Sequence, residues 1–196
     1  MSGLSFHPGV ALVVVDVQND FADPNGSLSV KGGEDVVTRV NELIDDAVGA
    51  GAGVVYTQDW HPPDTPHFEK DGGVWPVHCV AGTWGAKLHP ALRVEGERVR
   101  KGTAGEDGYS GFTMRDPITG VERSTGLAEL LRSRGVTTVV IAGLATDYCV
   151  KATALDAIEL GFPATVVRDA VAAVDVEPGD GDHALGELAA AGVTLA

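Results

Sequence analysis

Val136-Thr137-Thr138-Val139-Val140-Ile141-Ala142-Gly143-Leu144-Ala145-Thr146-Asp147-Tyr148-Cys149-Val150 joins an apolar run, Val136 to Ala142, to a helical pattern running from Val150 to Leu160. A short apolar run that turns tightly into a helix is the repeating unit of an α/β sheet. The turn places Cys149 at the opening of the helix. The first helical turn leaves backbone N–H groups without intrahelical partners, and with the positive end of the dipole these favour a thiolate over a thiol. The same N–H groups could hold an oxyanion formed when the sulfur attacks a carbonyl. Taken alone, Cys149 is equally explained as a small buried residue at a helix start. Its neighbours in the rest of the chain decide between the two.

Outward from this stretch the same unit recurs. Val10 to Val15 is continuously apolar and ends in Asp16, as in a central parallel strand with a functional group at its carboxyl end. Gln18 to Phe21 and Asp23 to Gly26 read as a loop. From Glu34 to Val48 the apolar residues Val36, Val37, Val40, Leu43, Ile44, Ala47 and Val48 share one helical face, stopped by Gly49 and Gly51. Gly53 to Gln58 is a second strand, followed by Asp59, and Arg98 to Lys101 is a short third. A helix is expected over Leu127 to Arg134, with Thr125 or Ser124 as its cap. Ala164 to Arg168 is a fifth strand with Asp169 at its end. A last helix covers about Asp182 to Ala191, and Val193 to Leu195 forms an edge strand. The alternation predicts a three-layer α/β/α fold with a mostly parallel central sheet and right-handed crossovers, as a single domain over residues 1–196.

Composition narrows the function classes. Hydrophobic residues make up 44% and charged residues 21%, so a folded core is expected, one burying roughly 70% of the unfolded surface. The net charge of −14 repels phosphate backbones and anionic membranes, which excludes nucleic acid and membrane as expected partners. Metal cations and neutral or cationic small molecules remain. Two cysteines, Cys79 and Cys149, are too few for a disulfide framework, and Met1 to Pro8 lacks the pattern of a secretory signal. A cytoplasmic location is expected.

Three reactive side chains fall at the carboxyl ends of apolar strands: Asp16, Lys101 and Cys149. Ligands in open α/β sheets bind at that edge, so the three can meet there. A carboxylate near the thiol can take its proton, and an ammonium near the carboxylate keeps it ionised. Individually, Lys101 reads as a solvated surface lysine. Between Trp60 and Leu92 lies a long irregular segment with all three tryptophans and four of the six histidines. Segments of that length inside compact domains are usually functional or disordered, and its content favours function. Together with Asp59 just before it, it supplies His61, His67, His78 and His89, a set suited to Zn²⁺, Fe²⁺ or Mn²⁺, although spacing alone fits exposed loop histidines as well. Phe21 and Trp75 are candidate walls of an aromatic substrate pocket.

Taken together, Val14-Val15-Asp16-Val17-Gln18-Asn19-Asp20-Phe21, Asp59-Trp60-His61, Trp75-Pro76-Val77-His78-Cys79-Val80-Ala81-Gly82-Thr83, Lys101-Gly102, Tyr109-Ser110-Gly111-Phe112 and Gly143 to Val150 resemble the nicotinamidase branch of the isochorismatase-like cysteine hydrolases. The motifs stand in the family's order from Val10 to Val193. The resemblance implies hydrolysis of nicotinamide, with related pyridine carboxamides as the substrate class and a place in NAD salvage. Its nearest alternative is another cysteine amidohydrolase of the superfamily acting on a small amide such as an N-carbamoyl compound. The resemblance also implies Cys149 as nucleophile, Asp16 as proton acceptor and donor, Lys101 as the residue holding Asp16, and the N–H groups of Ala145 and Cys149 as the oxyanion hole. It implies a cis Leu144-Ala145 peptide and one divalent metal ion, Zn²⁺ before Fe²⁺ or Mn²⁺, on Asp59, His61 and His78 with His67 in a looser position. Phe21, Trp75, Leu144 and Tyr109 are implied as substrate-binding residues, and assembly as a homo-oligomer is a further expectation.

Overall fold

The computed structural model describes residues 4–196; Met1 to Gly3, part of the expected domain and of the stretch read for a secretory signal, lie outside the described residues. Strand β1 (Val10–Val15) is buried along its whole length and pairs in parallel with β2 (Gly53–Asp59) on one side and β6 (Thr138–Leu144) on the other. Outside β2 lies β3 (Glu97–Lys101); outside β6 lie β7 (Ala164–Ala172) and β8 (Thr194–Leu195). The order is β3-β2-β1-β6-β7-β8, and every pairing in this sheet is parallel. The chain winds one way from β1 to β3 and the other way from β6 to β8. The crevice at the carboxyl ends of β1 and β6 is therefore the topological switch point.

Alternation along β1 sorts its side chains into two cores. Leu12 and Val14 face helix α2 (Gly33–Gly49), together with Tyr56. Ala11, Val13 and Val15 face α3 (Leu127–Ser133), α4 (Lys151–Glu159) and α5 (Asp180–Ala190). Val36, Val37, Val40, Leu43 and Ile44 are all buried beneath α2. At about 1.5–3 kcal/mol for each large apolar side chain, that face contributes roughly 10 kcal/mol before entropy, well beyond what helix propensity supplies. The expected α/β/α layering is thus present.

Local departures have local causes. Asn19–Ala22 is a helical turn, α1, where a loop was expected; the Gln18 carbonyl accepts from the N–H groups of Phe21 and Ala22. Within the expected loop from Gly102 to Gly126, β4 (Thr113–Arg115) and β5 (Glu122–Ser124) form an antiparallel hairpin. Its strands are short, polar and mostly exposed, so no alternation announces them. The turn between them is set by Asp116 Oδ1, which accepts from the N–H groups of Ile118 and Thr119. The cap of α3 is Gly126, with φ +89, not Thr125 or Ser124, although the Thr125 hydroxyl still accepts from Leu127 N–H at 3.2 Å. β7 continues past Arg168 to Ala172 through an irregularity against β6, so Asp169 lies within the strand and pairs with Arg39 at 3.1 Å.

Candidate active site

Asp16 follows β1 directly and has φ +49, a left-handed conformation uncommon for a residue with a Cβ. Such a conformation costs on the order of 1–3 kcal/mol and persists only where surroundings impose it. Thr57 on β2 does so: the Asp16 N–H donates to the Thr57 hydroxyl at 3.2 Å, and that hydroxyl donates to Asp16 Oδ1 at 2.6 Å. Asp16 Oδ2 lies 2.7 Å from Lys101 Nζ but is buried without an aligned hydrogen bond. One carboxylate oxygen accepts from Thr57, and the other, facing the Lys101 ammonium, can receive a proton.

Lys101 ends β3 and is fully buried, which removes the reading of it as a surface lysine. Its ammonium donates to Asp59 Oδ1 at 2.5 Å and to the Gly108 carbonyl, and lies 3.6 Å from Cys149 Sγ. One ligating atom each of Asp16, Asp59 and Cys149 falls within 4.8 Å of the others. The three strand-end residues do meet.

Cys149 lies in a π-helical turn, Thr146–Val150, that precedes α4, rather than in the first turn of a regular α-helix. The Ala145 carbonyl accepts from Tyr148 N–H at 3.2 Å and from Val150 N–H at 3.0 Å, passing over the Cys149 N–H between them. The Leu144-Ala145 peptide is cis. Gly143 has φ +121, and a Cβ there would lie 2.1 Å from the Val15 carbonyl oxygen, so only glycine allows β6 to approach β1 this closely before the turn.

Burial sets the protonation states. It pushes the Cys149 thiol well up, against the opposing pull of Lys101, so the resting sulfur is a thiol and the thiolate expected from helix position alone is not its ground state. Burial likewise raises the Asp16 carboxyl to about 6, with Lys101 limiting the rise. At Asp59 burial works upward too, but the Lys101 ammonium and the neighbouring His61 ring outweigh it and hold the carboxyl well below the usual range. Burial would lower Lys101; Asp16 and Asp59 overcome it and hold the ammonium charged. The result at neutral pH is a thiol beside a carboxylate, with a cation between two anions.

The second cluster adjoins the first through Asp59, whose Oδ2 lies 3.8 Å from His61 Nε2 and 3.9 Å from His78 Nε2. His61, His67 and His78 each bring a ring nitrogen within 4.8 Å of the others'. Both ring nitrogens of His61 are buried without a hydrogen-bond partner, and a metal ion would satisfy the one that faces the other histidines. The Nδ1 of His78 faces the Pro76 carbonyl at 2.7 Å and that of His67 faces Asp107 Oδ1 at 2.6 Å, contacts that fix each ring and leave Nε2 free. Burial drives His78 down to about 4, so it is neutral and its lone pair is available. These residues fit a divalent transition metal. His89 is not among them; it sits 4.0 Å from Asp23.

Both clusters border one cavity, the first through Cys149, the second through His67 and His78, with Asp59 between them. Phe21, Trp75, Leu144 and Tyr109, all expected as substrate contacts, line it with Ala145, Cys149, Asp59, His67 and His78. Trp75 Nε1–H donates to the Tyr109 hydroxyl at 2.9 Å, tying together the two long loops that wall the cavity. Leu28, Gly108, Tyr148 and Val174 complete the lining and were not anticipated. Tyr148 adjoins the nucleophile in sequence and could have been found there, whereas Leu28 and Val174 lie outside the helices and strands, where no periodic signal marks them. Thr57 was missed as well, although a hydroxyl inside an otherwise apolar strand is a readable anomaly.

Residues 10–196 match the model of the isochorismatase domain family. A nicotinamidase of Escherichia coli (strain K12) is 38% identical, with 96% of this chain and 94% of that protein covered. Among solved structures, a pyrazinamidase of Pyrococcus horikoshii in complex with zinc superposes with a TM-score of 0.85 at 40% identity, covering 96% of this chain and 99% of that one. PnC1 from L. infantum in complex with nicotinate gives 0.87 at 39% identity, covering 98% and 95%.

Proposed function

The chain belongs to the isochorismatase domain family, and from that premise we propose that it is a nicotinamidase, an amidohydrolase that converts nicotinamide and water to nicotinate and ammonia. The observation that carries the reading is a thiol on the wall of a cavity, backed by a buried carboxylate and ammonium 2.7 Å apart, beside a cluster of three histidines and an aspartate of which His67, His78 and Asp59 also line the cavity. The E. coli relative is a nicotinamidase, and the L. infantum structure holds nicotinate.

In the mechanism we infer, Cys149 Sγ attacks the carboxamide carbon as its proton passes to Asp16 Oδ2, the oxygen without a hydrogen bond. Lys101, 3.6 Å from the sulfur, stabilises the charge that develops on it. The carbonyl oxygen becomes an oxyanion held by the N–H groups of Ala145 and Cys149. As the intermediate collapses, the C–N bond breaks, the amine takes the proton from Asp16, and ammonia leaves behind a thioester. Asp16 then accepts a proton from water, whose oxygen attacks the thioester carbon. The C–S bond breaks, the proton held by Asp16 returns to the sulfur, and the acid leaves, giving up the second proton of the water to solvent to become nicotinate. Thr57 holds Asp16 in the required rotamer throughout.

Asp59, His61 and His78, with His67 nearby, would hold the metal, and when bound it supplies an open coordination position that orients the pyridine ring. Zn²⁺ is favoured over Fe²⁺ and Mn²⁺ by the nitrogen-rich set and by the zinc in the P. horikoshii structure. Phe21, Trp75, Tyr109 and Leu144 would pack against the ring. A role in NAD salvage follows from the product. Among the described residues no helix is long and apolar enough to cross a membrane; a cytoplasmic setting is supported by two unpaired cysteines, and the net charge of −14 argues against nucleic-acid and membrane partners.

The test is ammonia release from nicotinamide by the purified protein, by Cys149→Ala, and by chelator-treated protein before and after added Zn²⁺. Release that the cysteine variant loses, and that chelation removes and Zn²⁺ restores, is the expected result. Release from N-carbamoyl or ureido substrates alone would contradict it.

A further inference from the structure

Gln18 is fully buried, and its side chain does the work of a strand. β1 pairs with β2 only as far as Val14 against Tyr56, while β2 runs on to Asp59. Beyond Tyr56 the inner edge of β2 would face no partner strand. Gln18 fills that place: its Oε1 accepts from Asp59 N–H at 2.8 Å, and its Nε2 donates to the Asp59 carbonyl at 2.8 Å. One amide thus reproduces the donor and acceptor of a peptide unit and extends the ladder to the residue that carries chemistry. The second Nε2 proton reaches the Ala86 carbonyl at 2.9 Å, so the long loop is tied to the same point. The other edge of β2 is held by β3, with Asp59 in register with Lys101.

The consequence lies in what Asp59 joins. Its Oδ1 meets Lys101 Nζ and its Oδ2 faces His61 and His78, so any rotation of the Asp59 main chain displaces the lysine contact and the histidine contact together. We propose that Gln18 is a positioning residue that fixes Asp59 between the cysteine centre and the histidine cluster, by clamping both main-chain polar groups of Asp59. Asparagine lacks the reach to make the pair of contacts, and glutamate keeps the acceptor but loses both donors. The Gln18 side chain does not line the cavity, and the residue of the site that it contacts is Asp59; its contact with Asp16 is made by the main-chain N–H, which the variants below keep.

This inference rests on the reading of Asp59 as a metal-holding residue, and its test separates the two. Wild type, Gln18→Met and Gln18→Glu are loaded with Co²⁺, and three quantities are read: the Co²⁺ dissociation constant, the visible absorption of the bound ion, and kcat for nicotinamide at saturating Co²⁺. For Gln18→Met the dissociation constant is expected to rise and kcat to fall, each by about tenfold or more, the usual effect of losing a group that orients a ligand. The absorption band should change shape, because an Asp59 freed to turn alters the ligand field. Gln18→Glu should move the same quantities in the same direction, and it decides the matter if Gln18→Met does not fold. A lower melting temperature with wild-type kcat and wild-type absorption would overturn the proposal, since a purely structural Gln18 predicts that pattern. Failure of wild type to bind Co²⁺ would instead refute the metal reading, and unchanged kcat in both variants would then overturn the role of Gln18 by itself.

Discussion

Asp16 has a carboxyl pushed up to about 6 by burial, so near neutral pH it is ionised yet only about one pH unit from losing its charge. Its function as proton acceptor requires the carboxylate. The rate, as kcat/KM for nicotinamide, is therefore expected to fall on the acid side with an apparent pKa near 6, a value belonging to the coupled Asp16–Lys101–Cys149 set. A flat profile between pH 5 and pH 8 in folded protein would exclude Asp16 as the base. Stability runs the other way. The folded-state value lies above the ordinary 3.8, so Asp16 favours the fold at low pH and that contribution is lost as pH rises through about 6. Asp16→Asn is accordingly expected to abolish turnover, by about a thousandfold or more, without lowering the melting temperature at pH 7.5. A large fall in melting temperature would show that the charge supports the fold.

At the scale of elements, the site depends on how closely β1 and β6 approach before their turns diverge. Gly143→Ala places a Cβ 2.1 Å from the Val15 carbonyl oxygen, with φ +121, so one strand must shift. Asp16 follows the first strand and Cys149 the second. The variant is expected to lose at least about 3 kcal/mol of stability and to slow turnover by about a hundredfold, measured by denaturation and by ammonia release. Wild-type values in both would mean that the close approach is dispensable. Elements were legible in the sequence wherever burial imposed a period. β1, α2 and β6 are apolar on the faces that pack, and their limits read to within a few residues. The β4–β5 hairpin, the helical turn α1 and the far end of β7 were not legible, because hydrogen bonds and turn geometry hold them rather than an apolar face. The triad was visible as three strand ends, while Thr57 and Gln18 act through hydrogen bonds across forty residues of sequence that no local pattern encodes.

Across the whole molecule, charge and cavity chemistry separate cleanly. The net charge is −14, yet the cavity is lined mostly by aromatic and apolar side chains, with its charges paired behind them. Nicotinamide is neutral, so long-range steering contributes little to its capture. Raising NaCl from about 0.05 M to 0.5 M, across which the Debye length shortens from about 14 Å to about 4 Å, is expected to change kcat/KM by less than about twofold. A steep salt dependence would imply a charged substrate and would point away from nicotinamide. The acidic surface was legible at once from composition, but the neutral lining was not, because it is assembled from loops far apart in the chain.

The most direct measurement is mass spectrometry of protein quenched with acid during turnover of nicotinamide. A nicotinoyl group replacing the thiol hydrogen on the peptide that carries Cys149, absent from Cys149→Ala and from enzyme quenched after substrate is exhausted, is the result expected of the thioester. Sustained ammonia release by Cys149→Ala at the wild-type rate, with no acyl group on Cys149 in the wild-type protein, would contradict it.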